Sequence, residues 1–105
     1  MKLKISEAEI KKTIEDYLTV KGYQWMRNNS GAVTAESNGR KRFFRFGRKG
    51  SGDLFVWHKG MFYSIEVKSP SGKLTEAQEE WMQWLNEGGF TAFVARSVED
   101  VQRYL

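Results

Sequence analysis

The sequence predicts an α/β fold, a small mixed sheet with helices packed around it, and three features predict it. Two segments carry apolar residues at helical spacing behind a capping residue: Ile10, Ile14, Tyr17 and Leu18 after Ser6, and Ala77, Trp81, Trp84 and Leu85 after Thr75. Between them lie short runs rich in aromatic and β-branched residues, Tyr23 to Arg27, Leu54 to Trp57 and Phe62 to Lys68. A further run, Phe90 to Ala95, follows the second helix, so the order is helix, strands, helix, strand, helix.

Each element has its own local reason. Ser6 is a good N-cap for the first helix, Glu9 at the third helical position completes a capping box, and Gly22 ends the element. Glu9 therefore has a structural role to fill while Glu7 has none, which makes Glu7 the first choice, and Glu9 the second, for a helix carboxylate facing a site. Glu15, between Ile14 and Asp16, is expected to face solvent. Asn28-Asn29-Ser30-Gly31 is turn chemistry, and Gly31 to Gly39, small, polar and aperiodic, is expected to be a mobile loop. Phe43 to Phe46 fits either an added strand or a loop that orders on binding. Leu54 to Trp57 and Phe62 to Lys68 form a hairpin through His58-Lys59-Gly60-Met61, where Gly60 permits positive φ. Pro70 ends that ladder because it has no N–H to donate. Thr75 caps the second helix with Gln78 at the third position, and Gly88-Gly89 stops it; its tryptophans are assigned to the core rather than to base stacking. Ser97 caps a last helix with Val98, Val101 and Leu105 inward.

Composition narrows the function classes. A chain of 105 residues is read as one domain, 1–105, with a single core. With 40% apolar residues, seven Phe, four Trp and four Tyr, it is globular rather than disordered. The absence of Cys excludes disulfides and thiolate zinc sites, and a single histidine, His58, excludes a multi-histidine metal centre. No apolar run reaches signal-peptide or membrane-span length, so a cytoplasmic protein without a membrane partner is expected. The net charge is +4, and its distribution is uneven. Between Glu36 and Asp53 there is no acid, while Arg40, Lys41, Arg42, Arg45, Arg48 and Lys49 alternate with Phe43, Phe44 and Phe46. A basic run interleaved with aromatics and delivered into an acidic residue is what a phosphate-tracking surface requires.

The chemistry concentrates between Gly50 and Lys68. Asp53 enters one strand of the hairpin and Glu66 leaves its neighbour, and on the second strand Glu66 and Lys68 share a face while Ile65 and Val67 take the other. Carboxylates on a buried strand are costly unless paired or bound to a metal, and hard oxygen donors at this density suit Mg²⁺. A lysine two residues past a metal carboxylate can orient water or offset charge on a phosphate in its transition state. Taken alone, the pattern also fits a turn-capping aspartate and a surface Glu–Lys pair on an edge strand.

The context resembles a known family. The Glu7-x-x-Ile10 helix start, Gly22, Arg27-Asn28-Asn29-Ser30-Gly31, Gly52-Asp53, Ile65-Glu66-Val67-Lys68 and Gly72-Lys73-Leu74-Thr75-x-x-Gln78 occur in order, followed by a closing strand and helix. The chain thereby resembles the viral-type replication-repair nuclease (VRR-NUC) group of the PD-(D/E)XK nucleases, in the stand-alone form of phages and bacteria. A departure is Gly52, where the superfamily name implies proline. The resemblance implies a restriction-endonuclease-like αβββαβ core and Mg²⁺-dependent phosphodiester hydrolysis on DNA, with Mn²⁺ as a possible substitute. Asp53, Glu66 and the Val67 carbonyl would bind the metal, Glu7 would complete its shell, and Lys68 would position the water. Gln78 would be an active-site neighbour or only a helix cap; the sequence supports both. Arg27, Arg42, Arg45, Arg48, Lys49 and Lys73 are the expected DNA contacts. The implied substrate is branched DNA, a four-way (Holliday) junction cut by a homodimer. The alternatives are a nicking or sequence-specific endonuclease and a non-catalytic DNA-binding domain of the same fold.

Overall fold

The computed structural model describes residues 5–105, apart from the side chains of Val33, Ser37, Phe44 and Phe46. The elements follow as α1 (Glu7–Val20), β1 (Gln24–Arg27), β2 (Gly31–Ser37), β3 (Arg40–Phe46), β4 (Leu54–His58), β5 (Met61–Val67), α2 (Glu76–Glu87), β6 (Thr91–Ala95) and α3 (Val98–Gln102). Four strands form one sheet in the order β1-β4-β5-β6, antiparallel except for the parallel β5–β6 pair. A parallel pair needs a crossover, and α2 supplies it. With β2 and β3 set aside, the order α1-β1-β4-β5-α2-β6 is the expected αβββαβ core.

The sheet is covered on both faces. On one face Ile10, Ile14 and Leu18 of α1 and Val101 of α3 close over Leu54, Val56, Ile65, Val67, Phe93 and Ala95. Leu54, Val56, Ile65 and Val67 have no exposed surface, and each such side chain contributes about 1.5–3 kcal/mol of burial. On the other face Trp81 and Leu85 of α2 meet Ala92, with Phe55, Phe62 and Met82 at the margin. Caps fix the register of both long helices. Ser6 Oγ accepts from Glu9 N–H at 3.1 Å, but the Glu9 side chain does not return the bond, so the expected box is only half formed there, whereas at Thr75 both halves of the box with Gln78 are formed.

The stretch from Gly31 to Gly39 is not a loop. Residues 31–37 are strand β2, paired antiparallel with β3 from Gly31↔Phe46 to Ser37↔Arg40 as a separate two-stranded sheet. The reason is the turn: Asn38 (φ 52°) and Gly39 (φ 74°) both take positive φ, the signature of a two-residue I′ hairpin for which Asn-Gly is the favoured pair. This also settles Phe43 to Phe46 as strand. Trp84, expected in the apolar stripe of α2, is 55% exposed, and Phe90, expected to open a buried strand, is 48% exposed and precedes β6. The helix is only narrowly covered, so its stripe buries Trp81 and Leu85 and leaves Trp84 at the rim.

Candidate active site

Asp53 is presented by main-chain bonds on both sides. Its N–H donates to the Ile65 carbonyl at 2.9 Å, and its own carbonyl accepts from Asn28 N–H at 2.9 Å. Its carboxylate then continues the β4–β5 ladder, Oδ2 accepting from Val67 N–H at 2.7 Å. A side chain locked to the neighbouring backbone in this way lies beside Glu66 whatever its own rotamer preference. The preceding glycine is equally constrained: a Cβ on Gly52 would sit 2.2 Å from Ser64 Oγ. Ser64 is buried and accepts from Trp81 Nε1 at 2.9 Å, so the space a proline ring would need is already filled. Two residues earlier, a Cβ on Gly50 would lie 2.4 Å from the Ala77 backbone, which seats the turn directly on α2.

Glu66 leaves β5 on the α2 side and is 4% exposed. Its Oε1 accepts from Gln78 Nε2 at 2.8 Å, while Gln78 Oε1 accepts from Thr75 N–H at 2.9 Å. One amide thus does both jobs that the sequence left open, its oxygen closing the helix cap and its nitrogen holding Glu66. Burial pushes the Glu66 carboxyl up to about 8, with Asp53 adding to the rise, Lys68 opposing it and Glu7 adding a little more. Asp53, Lys68 and Glu7 therefore all lie close enough for Glu66 to feel their charge. Glu7 lies exposed in the first turn of α1, and the Lys68 stem passes Gly72, whose added Cβ would meet Lys68 Cδ at 3.4 Å.

Two features were not expected. Lys11, one turn beyond Glu7, reaches Asp53 Oδ1 at 3.9 Å and adds a second cation to the group. Glu15, expected in solvent, is 7% exposed and receives Arg27 Nε at 2.6 Å and Nη2 at 3.0 Å. The Arg27 hydrogen bonds hold the Glu15 carboxyl below its usual range against burial that alone would raise it. Glu7, Lys11 and Glu15 are spaced i, i+4, i+8, a polar stripe beside the Ile10–Ile14–Leu18 stripe. That spacing is the signal by which both could have been found.

The remaining cations surround this group unevenly. Arg27 is engaged by Glu15. Arg42 and Arg45 are exposed on β3, Arg45 with its guanidinium 5.5 Å from the Phe43 ring centroid. Arg48 folds back over α2, 5.4 Å from the Trp81 ring and 4.6 Å from that of Trp84, while Lys49 is exposed. Lys73 is exposed just ahead of α2, on a loop that Arg96 Nη1 clamps by donating to the Ser69 carbonyl at 2.5 Å and that of Gly72 at 2.7 Å.

The donor set suits a hard divalent cation. Among the described residues no three His, Cys, Asp or Glu side chains converge into a complete protein cage. Asp53 and Glu66 are instead two hard oxygen donors of the kind that Mg²⁺ takes in a partial protein shell. A buried carboxyl pushed up by desolvation and by a second carboxylate, as Glu66 is, is the electrostatic condition that a cation relieves. No helix among the described residues is long and apolar enough to cross a membrane. No curated protein matches the chain. The family model of the VRR-NUC domain matches residues 5–99, from the entry of α1 into α3 and across the whole of this site. On that match the chain belongs to the VRR-NUC domain family and is a nuclease of the PD-(D/E)XK type, for which DNA is the implied substrate.

Proposed function

We propose that the protein is a metal-dependent, structure-selective DNA endonuclease that resolves four-way junctions by phosphodiester hydrolysis. The observation that carries this reading is the convergence of Asp53, Glu66 and Lys68 at one end of the β4–β5 hairpin. Asp53 and Glu66, with the Val67 carbonyl, would hold Mg²⁺ or Mn²⁺, and Glu7 would complete the shell directly or through water. The cation supplies Lewis acidity and a bound water of lowered pKa. Lys68 would orient the attacking water and offset the negative charge that builds on the phosphate as water adds and the ester oxygen departs. Gln78 holds the Glu66 carboxylate in position, and Lys11 steadies Asp53. Lys73, at the approach to α2, meets a phosphate near the helix N-terminus.

Two symmetric cuts across a junction need two active sites, hence a two-fold homodimer. The test is a cleavage panel of junction, flap, nicked and linear duplex DNA with and without Mg²⁺. Wild-type protein should cut the junction best, and only with metal. Asp53→Ala should lose cleavage yet keep DNA binding, because it removes a ligand and a negative charge from a phosphate-facing site. Cleavage by Asp53→Ala at the wild-type rate would refute the metal assignment. Preference for plain duplex at one short sequence would replace the resolvase with a sequence-specific endonuclease.

A further inference from the structure

The β2–β3 hairpin is not used by the chemistry described above. It pairs with no strand of the main sheet, yet it is rooted beside the site. Its base is pinched where Gly47 (φ 66°) lies against Ser30, an added Cβ there falling 2.9 Å from Ser30 Cβ. Just below, Asn28 Nδ2 donates to Ser51 Oγ at 2.7 Å and to the Gly52 carbonyl at 2.8 Å, tying the two ends together next to Asp53. From that root the ladder extends seven residues per strand, about 23 Å at the rise of an extended chain.

Its composition is that of neither a core hairpin nor an inert loop. β3 carries Arg40, Lys41, Arg42 and Arg45 against one acid on β2, Glu36, and none of the four cations forms an ion pair with an acid among the described residues. Strand alternation sets Lys41, Phe43 and Arg45 on one face. Phe43 is 64% exposed there, with the Arg45 guanidinium near its ring. A large aromatic kept in water between cations is costly in isolation and fits a polyanion with apolar groups at its centre.

Resting on the nuclease reading above, we propose that the β2–β3 hairpin is a DNA-binding arm. It lies in the major groove of the duplex next to the cleavage site, with the face of Lys41, Phe43 and Arg45 toward the base edges. The major groove, about 12 Å wide and 8.5 Å deep, admits a two-stranded ribbon, and an arm of this length covers about seven base pairs. Arginine and lysine find guanine O6 and N7 there, and a phenylalanine finds the thymine methyl. The other candidate for a basic arm is the acidic surface of α2 in a second copy, where Glu76, Glu79, Glu80 and Glu87 are exposed. The root of the arm at Asp53 and the continuation of its charge through Arg48 and Lys49 favour the DNA that the site itself must hold.

Dimethyl sulfate footprinting tests this, because it methylates guanine N7 in the major groove and adenine N3 in the minor groove. The full chain is bound to a four-way junction and to a linear duplex with Ca²⁺ in place of Mg²⁺, and cleavage of the same DNAs in Mg²⁺ is measured in parallel. Guanine N7 should be protected over about seven base pairs on one side of the cut. The Phe43→Ala/Arg45→Ala variant should lose that protection, bind about tenfold more weakly and melt at the wild-type temperature. Full N7 reactivity at saturating protein that still cuts in Mg²⁺ would overturn the arm and leave the nuclease reading standing. Protection that the variant erases, on DNA that wild-type protein never cuts, would do the reverse. Conversion of a dimer to a monomer by the variant with an unchanged footprint would make the hairpin an interface between copies, and the proposal would fail.

Discussion

The β4–β5 and β2–β3 hairpins are both antiparallel ladders closed by a two-residue turn with positive φ at both central positions, Lys59-Gly60 in one and Asn38-Gly39 in the other. Their turns are alike and their fates are opposite. β4–β5 lies at the centre of the sheet between β1 and β6, with Leu54, Val56, Ile65 and Val67 sealed under α1 and α3. β2–β3 stands apart, its described side chains in β3 all exposed. The turn makes a hairpin, and the hydrophobic pattern decides where that hairpin goes. Within β4–β5 the same rule operates face by face. The apolar face holds the element in place, which allows the other face to carry Ser64 and Glu66 at a cost the core can offset.

The sharpest break in this comparison is Glu66→Gln. Cleavage should fall on the order of a thousandfold or more if Glu66 is the metal ligand proposed above. Stability should respond in the opposite sense. The Glu66 carboxyl is raised from 4.5 to about 8 in the folded protein, so the native state binds the extra proton between those values. Metal-free stability from this group therefore falls as pH rises through that window, and Mg²⁺ should restore it at the alkaline end. The groups facing Glu66 are Asp53, Glu7 and Lys68, with Gln78 hydrogen-bonded to it. Melting curves near pH 5 and near pH 9, with and without Mg²⁺, should show the wild type losing more than Glu66→Gln. Parallel losses in the two proteins would mean that Glu66 does not titrate in this range.

Gly52→Ala comes next, because its Cβ would fall on Ser64 Oγ. Overpacking of this kind costs about 1–3 kcal/mol, and it pushes Asp53 away from Val67 N–H. Adding Ser64→Ala removes the hydroxyl in the way and should recover part of the stability. A double variant no better than the single one would place the strain elsewhere. Gln78 can be split into its two roles. Gln78→Leu keeps the Thr75 cap but loses the reciprocal half of the box and the Glu66 contact, a cost of about 0.5–1.5 kcal/mol for each lost bond. Gln78→Glu retains a capping-box residue but sets a third carboxylate beside Glu66. Its stability should stay near the wild type in Mg²⁺, and its half-saturating Mg²⁺ in cleavage should fall, because the added negative charge draws the cation more strongly. Equal metal requirement in Gln78→Glu and wild type would leave Gln78 only a cap.

What could be seen in the sequence follows from how local its cause is. The caps at Ser6 and Thr75, the β4–β5 hairpin and the approach of Asp53 to Glu66 rest on spacings of a few residues, or on adjacent strands, and all were expected in place. The Glu15–Arg27 pair joins a helix to a strand, and neither segment alone shows that Glu15 lies at the buried edge of the α1 stripe. Arg48 stacking on Trp81 and Trp84 depends on the Gly50 turn packing against α2, a tertiary contact with no local signature. The missed strand β2 is different. Its signal, Asn38-Gly39, was present, but the small and polar residues before it outweighed it when read by hydrophobicity alone.

A matched pair of glycine substitutions tests whether the two hairpins differ in their coupling to the fold and not in their turns. Gly39 (φ 74°) and Gly60 (φ 79°) hold the same place in their turns, and an added Cβ at either meets nothing within 4 Å. Alanine therefore introduces the same local backbone strain at both, about 1–2 kcal/mol, with no steric term to confuse it. At Gly60 the strain acts on the central hairpin, whose opening is global unfolding, so it should appear in full in the denaturant midpoint. At Gly39 it acts on an arm whose strands support no other strand, so the midpoint should move little while amide exchange across β2 and β3 accelerates roughly five- to thirtyfold. Equal midpoint shifts from Gly39→Ala and Gly60→Ala would mean that the arm unfolds with the core, and the division between a structural and a free-standing hairpin would not hold.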